Sequence, residues 1–188
     1  IKREITEEDA LEELDEAMLR NTRVLHIGSL SLTNEPARSA TLRAIEIAKG
    51  AGALISYDPN YRASLWRSEA AAREGMRSIL PYVDLMKLSD EETELLTDRA
   101  APEDALRALN GMGVRCACVT LGKDGALVGV GGRTTHVPAF PVAKIVDTTG
   151  AGDAFMGGFL AAFLQDGGAL NGITIEKAAG YARVGCAT

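Results

Sequence analysis

Residues 147–160 carry the sequence DTTGAGDAFMGGFL, a polar, glycine-rich loop that runs directly into a predicted helix. The first backbone N–H groups of a helix have no partner inside the helix and lie at the positive end of its dipole. Glycine allows a ligand to approach the backbone closely. Gly150, Ala151 and Gly152 are therefore predicted to hold an anionic group such as a phosphoryl group.

Asp153 directly follows this predicted anion site. A carboxylate would repel a phosphate there, but it suits a general base that removes a proton from an acceptor hydroxyl during phosphoryl transfer. The alternative is that Asp153 caps the helix while Gly157 and Gly158 allow close packing. Local chemistry leaves both interpretations open. Neither the dinucleotide-binding fingerprint nor the P-loop motif occurs in the chain.

Along the rest of the chain, short apolar runs alternate with segments of helical periodicity. This pattern predicts an α/β fold with parallel strands joined by crossover helices. Predicted strands lie at 24–28, 53–57, 83–88 and 115–121, and strands 125–130 and 133–137 form a predicted hairpin around Gly131 and Gly132. Predicted helices cover 68–79, 102–110 and 151–165, with a short helix from residue 89 and a last one from residue 174.

Two further helices are predicted near the start of the chain. Leu11, Leu14 and Met18 lie at helical spacing and indicate one amphipathic helix. A second helix should extend to about Lys49, with Asn34 as its N-cap and a proline in its first turn.

Composition limits the class of protein. With 188 residues, of which 46% are hydrophobic, the chain is predicted to form a single domain, residues 1–188. The net charge of −6 argues against nucleic-acid binding, because that requires clustered cations. No apolar run is long enough to cross a bilayer, and the first ten residues are charged rather than signal-like, which predicts a cytoplasmic protein without a membrane partner.

The cysteine pattern gives no metal motif. Cys116 and Cys118 alternate along a predicted strand and should be buried thiols. His26 and His136 are isolated, so the finger-like spacing of a zinc site is absent.

Three other polar segments follow predicted strands, where open α/β sheets bind ligands. Residues 120–125 have the sequence TLGKDG, which could be a plain turn. Residues 89–92, SDEE, could cap a short helix or hold magnesium. Residues 58–62, DPNYR, place an amide and a cation at a strand end, where they suit hydroxyl and phosphate contacts.

Residues 147–160 resemble the C-terminal signature of the ribokinase-like (PfkB) sugar kinases throughout their length. The resemblance implies that Asp153 is the catalytic base and that Gly150, Ala151 and Gly152 belong to the anion hole for the transferred phosphate. The TLGKDG segment resembles the family's nucleotide loop, which implies that Thr120, Gly122 and Gly125 contact ATP.

Two cation sites are also implied by this resemblance. The SDEE segment is similar to the family's N-x-x-E motif, so Glu92 would orient a magnesium-bound water. Ser89 stands where asparagine is usual and would lie at the ATP site. Asp147 and Thr149 match positions that hold a monovalent cation, potassium, in several members.

The substrate is indicated by two further segments. Residues 56–66 resemble the D-P-N-x-R-x-x-L-W segment of fructokinases and 2-keto-3-deoxygluconate kinases, and residues 28–41 resemble the fructokinases. The resemblance implies magnesium-dependent transfer of phosphate from ATP to the 6-hydroxyl of D-fructose, with Asn60, Arg62 and Asp153 at the sugar. The alternatives are a 2-keto-3-deoxygluconate kinase and an inactive sugar-sensing protein.

The family fold is a three-layer α/β/α sandwich with a mostly parallel sheet. Members are longer than this chain, because the first strands, a β-stranded lid and many sugar contacts precede the matching region. The resemblance therefore implies a chain truncated at both ends, and we expect weak or no activity from the 188 residues alone. The longer enzyme is expected to act on small molecules and to form a homodimer.

Overall fold

The computed structural model describes residues 6–141 and 147–188. Its six strands lie in one mixed sheet and follow chain order across it, and helices separate most of them, which confirms the predicted α/β class. Contacts within the chain group it into two compact units, Ile1–Leu85 and Met86–Thr188. The single domain stays a prediction. In the described ranges, no helix combines the length and the apolar character that a membrane span needs.

Both units contain helices and strands. The first unit contains α1 (Glu7–Glu12), α2 (Glu16–Asn21), β1 (Val24–Gly28), α3 (Ala37–Gly50), β2 (Leu54–Asp58) and α4 (Glu69–Ser78). Strand β3 (Leu85–Ser89) starts at the unit boundary. The second unit continues with α5 (Thr93–Thr97), α6 (Pro102–Gly111), β4 (Cys116–Thr120), β5 (Ala126–Val130), β6 (Arg133–Val137), α7 (Ala151–Gln165) and α8 (Ile175–Ala187).

In the first unit, β1 and β2 run parallel, with Val24 opposite Leu54 and Gly28 opposite Asp58. The pairing places the carboxyl ends of both strands at one edge. Helix α3 has the apolar spacing that a helix packed on a core needs, and it buries Ala44, Ile45, Ile47 and Ala48.

The predicted single helix at the start of the chain is wrong. Two short helices form instead, because Asp15 accepts a hydrogen bond from the Met18 N–H and begins a new helix at Glu16. The new phase turns Met18 outward, where it is 64% exposed, and buries Leu19.

The predicted N-cap of α3 is also wrong. The helix begins at Ala37, directly after Pro36, and Asn34 makes no side-chain capping bond. The Glu35 carboxylate satisfies a first-turn amide instead, because it accepts the Ser39 N–H at 3.0 Å.

The second unit contains an antiparallel meander of β4, β5 and β6. Gly131 and Gly132 connect β5 to β6 with φ values of 57° and 79°, a conformation that favours glycine, as predicted for the hairpin. Cys116 and Cys118 are free and buried in β4, which confirms the cysteine prediction. Hydrogen bonding with Cys116 and burial raise the pKa of Cys118 well above its ordinary value.

Helices α7 and α8 pack closely through glycine. A Cβ on Gly185 would lie 2.6 Å from the carbonyl oxygen of Phe155, so α8 can approach α7 only because this position has no side chain. Further along, the ring of Tyr181 meets Phe159 and Phe163 edge-on at centroid distances of 5.7 and 5.8 Å. These contacts hold α7 against α8 and so fix the position of the α7 N-terminus, where the anion site is predicted.

Candidate active site

The N-terminus of α7 has open backbone donors among the described residues. Gly150 precedes the helix with φ +80°, and its carbonyl oxygen accepts the Ala154 N–H at 2.8 Å. The Ala151 N–H is occupied, because it donates to the Thr148 carbonyl oxygen at 3.1 Å. Within the described residues, the N–H groups of Gly150, Gly152 and Asp153 have no acceptor. Of the predicted set, the Ala151 amide is therefore occupied and the Gly150 and Gly152 amides are open, while Asp153 adds a further donor. The role of these amides in binding an anion stays a prediction.

A cavity of about 250 Å³ joins this helix end to the TLGKDG loop. The loop contributes Thr120, Gly122 and Gly125 to its lining, and α7 contributes Ala151 and Gly152. The structure thus brings five of the predicted nucleotide and anion residues to one place. Gly185 and Cys186 of α8 also line the cavity, together with Thr188 directly after this helix.

The loop conformation requires glycine at Gly125. Its φ is +93°, and a Cβ there would lie 2.1 Å from the carbonyl oxygen of Val137. Two bonds hold the loop in this shape: the Leu121 N–H donates to the Gly125 carbonyl oxygen at 2.8 Å, and the His136 ring nitrogen Nε2 lies 2.7 Å from the Asp124 carbonyl oxygen. The lining of the cavity is therefore set by backbone geometry.

Lys87 is a cavity neighbour that the sequence reasoning missed. It lies in β3 and is 7% exposed, and a Cβ built on Gly152 would meet its Nζ at 2.6 Å and its Cε at 3.3 Å. The ammonium group therefore lies against the first turn of α7. A lysine inside the apolar run 85–88 was the available signal, since lysine is rarely buried in a core strand.

Asp153 lies in the first turn of α7 and is exposed. It is not among the residues that line the cavity, and within residues 6–141 and 147–188 its carboxylate has no partner. An exposed carboxylate beside the open Asp153 and Gly152 amides can receive a proton from a second substrate. Its catalytic role stays a prediction.

Ser89 and Glu92 form a capping box at the end of β3. The Ser89 N–H donates to Glu92 Oε2 at 2.8 Å, and Glu92 is 6% exposed. The capping alternative considered for the SDEE segment is thus present. The roles at ATP and at magnesium stay predictions for both residues.

Asp147 and Thr149 lie just before α7 and are exposed. The Asp147 carboxylate accepts the Thr149 N–H at 2.8 Å, and this hydrogen bond lowers the pKa of Asp147. The described part of the chain contains no cluster of three or more His, Cys, Asp or Glu side chains that could hold a metal. The monovalent cation site stays a prediction.

The predicted sugar residues Asn60 and Arg62 belong to the first unit. They follow the carboxyl end of β2, where Asn60 has φ +46° and Arg62 is exposed. The Ser29 N–H donates to the Pro59 carbonyl oxygen at 3.1 Å and so ties this segment to the end of β1. Both residues thus follow the carboxyl end of β2, and their role at the sugar stays a prediction.

Known proteins resemble this chain along nearly all of its length. Fructokinase-1 from Oryza sativa subsp. japonica is 44% identical over 155 residues, which cover 82% of this chain and 48% of the relative. The chain spans about half the length of the curated relatives it matches.

Two solved structures share the fold. Fructokinase from Vibrio cholerae O395, with fructose, ADP and a calcium ion bound, superimposes with a TM-score of 0.76 at 34% identity and covers 90% of this chain and 56% of that one. A putative ribokinase II from E. coli, in complex with ATP and Mg²⁺, has a TM-score of 0.76 at 28% identity over 95% of this chain and 54% of that one. The family model for pfkB family carbohydrate kinases matches residues 3–187. With a glycine loop and a helix N-terminus meeting at one cavity, and with this match along its length, the chain belongs to the pfkB family of carbohydrate kinases.

Proposed function

We propose that the protein transfers the γ-phosphoryl group of ATP to the primary 6-hydroxyl of D-fructose. The observation that carries the proposal is the cavity that joins Thr120, Gly122 and Gly125 to the first turn of α7. The relatives named as fructokinases support the sugar class. The neighbours solved with ADP or ATP support the nucleotide.

The nucleotide lies along the TLGKDG loop in this proposal, and its terminal phosphate faces α7. The amides of Gly152 and Asp153 donate to the phosphoryl oxygens, and the positive end of the helix dipole stabilises their charge. The Ala151 N–H donates to Thr148 and is not available to the phosphoryl group. Ala151 contributes only because its backbone lies close to the phosphoryl group. Gly150 supplies the left-handed turn that aims these amides outward.

Asp153 acts as the general base. The sugar O6–H proton moves to the Asp153 carboxylate as O6 forms a bond to the γ-phosphorus, and the bond from that phosphorus to the β,γ-bridging oxygen breaks. The products are the sugar phosphate and ADP. Asn60 and Arg62 position the sugar through hydrogen bonds to its hydroxyl groups.

The cation roles rest on donor chemistry. Magnesium, when bound, neutralises phosphate charge. Glu92 is proposed to orient a magnesium-bound water beside Ser89, because carboxylate oxygen suits this hard cation and the capping bond holds the side chain in one orientation. Asp147 and Thr149 offer oxygen atoms for a potassium ion.

A substrate panel tests the proposal. The intact gene product is incubated with Mg-ATP and either D-fructose, D-ribose, D-glucose or 2-keto-3-deoxygluconate, and ADP formation is followed in a coupled assay. We expect the highest kcat/KM with fructose and formation of fructose 6-phosphate. A higher kcat/KM with 2-keto-3-deoxygluconate than with fructose would mean that this sugar acid is the substrate. Sugar binding without ADP formation would indicate a sensor and contradict the kinase proposal.

A further inference from the structure

Lys87 is a buried cation at the place where the phosphoryl group is proposed to lie. The other members of strand β3 around it are apolar and almost fully buried: Leu85, Met86 and Leu88 are at most 1% exposed. The end of the lysine side chain lies against Gly152, the second residue of α7. Gly152 also lines the cavity, so the ammonium group and the cavity share one wall.

The absence of a side chain on Gly152 makes this contact possible. A Cβ there would lie 2.6 Å from the lysine Nζ, well inside van der Waals contact. The Nζ is the mobile end of a long side chain, so a methyl group would displace the ammonium rather than the helix. Gly152 thus has a second role beside that of an anion-hole residue, because it leaves room for a charge.

The sign of the charge points to an anionic ligand. The first turn of a helix carries a partial positive charge, and an ammonium group beside it is repelled rather than stabilised. The ammonium group and the helix N-terminus each attract negative charge, and both lie at one wall of the cavity. The open amides of Gly152 and Asp153 give the same preference by hydrogen bonding.

We propose that Lys87 contacts the transferred phosphoryl group and stabilises the negative charge that spreads over its oxygens during transfer. This inference rests on the proposed kinase function. Lys87 gives up no proton and forms no covalent bond, so it acts as a fixed charge. Asp153 remains the group that removes the proton from the sugar.

The test compares Lys87→Met with wild type in the intact gene product. Methionine keeps an unbranched apolar stem and removes the ammonium group. We expect kcat to fall by about 10²-fold, the cost of removing one preorganised donor to a developing oxyanion, with KM for fructose nearly unchanged. Affinity for ATP should fall while affinity for AMP, which lacks the terminal phosphates, stays at the wild-type value. Lys87→Arg should restore part of kcat.

Lys177→Met is the matched control, because it removes an equal charge from an exposed position on α8. It should leave kcat and ATP affinity unchanged. If Lys87→Met does not fold, Gly152→Ala replaces it, since the methyl group moves the ammonium without deleting it. This variant should also lower kcat.

The outcomes separate the inference from the function on which it rests. Wild-type kcat and ATP affinity in Lys87→Met, or in Gly152→Ala where that variant replaces it, would overturn the role of Lys87 and leave the kinase proposal standing. Equal losses of ATP and AMP affinity together with a lower Tm would show a structural lysine and also overturn it. A wild-type protein that binds no ATP would overturn the proposed function itself.

Discussion

Gly125→Ala should destabilise the protein far more than Gly122→Ala, although both residues belong to the same loop and line the same cavity. Gly122 has φ +56° and open space where a Cβ would lie, so alanine there meets only the cost of a left-handed backbone, about 1 kcal/mol. At Gly125 the φ is +93°, and a Cβ would lie 2.1 Å from the Val137 carbonyl oxygen and 2.6 Å from the Ala139 nitrogen.

Both contacts at Gly125 are to backbone atoms, which cannot move aside as a side chain can. The loop must therefore separate from the end of β6. We add a conformational cost of about 1–3 kcal/mol to an overpacking cost of about 1–3 kcal/mol and expect a total near 4 kcal/mol. For a protein of this size the difference between the variants is roughly 6–12 °C in Tm.

Urea and thermal denaturation without nucleotide measure this difference. The two variants and wild type are compared at equal protein concentration, and the urea m-value checks that the transition keeps its character. If Gly125→Ala were as stable as Gly122→Ala, the loop would not have the conformation that forms the cavity wall, and the argument from backbone geometry would be wrong.

Three further predictions concern packing and ionisation. Gly185→Ala should lower the free energy of unfolding by about 1–3 kcal/mol, because its Cβ would meet the Phe155 carbonyl oxygen at 2.6 Å. Gly180→Ala on the same helix has open space and should be neutral or stabilising. Equal urea midpoints for the two variants would contradict the α7–α8 contact. Burial and the hydrogen bond to Asp166 raise the pKa of Tyr181 to about 12, so the stabilising effect of Tyr181 should be complete below pH 10 and lost as pH rises toward 12. The unfolding midpoint of wild type should therefore fall over this pH range, and that of Tyr181→Phe should lack this fall. An identical fall in both proteins would refute the assignment. The Asp84 carboxylate accepts hydrogen bonds from the Ile55 N–H at 2.9 Å and from the Lys49 Nζ at 2.6 Å. Asp84→Ala should therefore lower the free energy of unfolding by about 3 kcal/mol, which is more than the loss in Lys49→Met. A larger loss for Lys49→Met in urea denaturation would contradict this prediction.

Most of the regular elements could be predicted from sequence because their apolar periods are strong. Strand β1, helix α7 and the hairpin turn at Gly131 match their predictions. The predictions of regular elements fail where a local polar hydrogen bond outweighs the apolar spacing. Asp15 begins a new helix and changes the face on which Met18 lies, and a spacing pattern contains no information about that bond.

The candidate site shows the same division between local and non-local information. The glycine loop and the α7 N-terminus carry recognisable local sequences, so Thr120 and Gly152 could be named in advance. The fold brings residues of the glycine loop and of the α7 N-terminus together in the lining of one cavity, which no local sequence predicts. Lys87 could not be assigned, because its position depends on the distance between β3 and α7, which no local pattern records.

The occupied Ala151 amide also required coordinates. Its bond to the Thr148 carbonyl oxygen depends on the turn that Gly150 makes with φ +80°. Sequence predicts that a helix start has unpaired donors but does not predict which of them a preceding turn consumes. The donors in the proposed reaction are therefore the amides of Gly152 and Asp153.

The proposed reaction requires the Asp153 carboxylate to remove the proton from a sugar hydroxyl at this helix end. Because Asp153 is exposed, Asp153→Asn should keep the fold and change stability by no more than about 1 kcal/mol through the helix dipole. The decisive measurement is kcat with fructose together with KM for ATP in this variant. We expect a fall in kcat of about 10²–10⁴-fold with KM for ATP nearly unchanged. A kcat equal to that of wild type would contradict it.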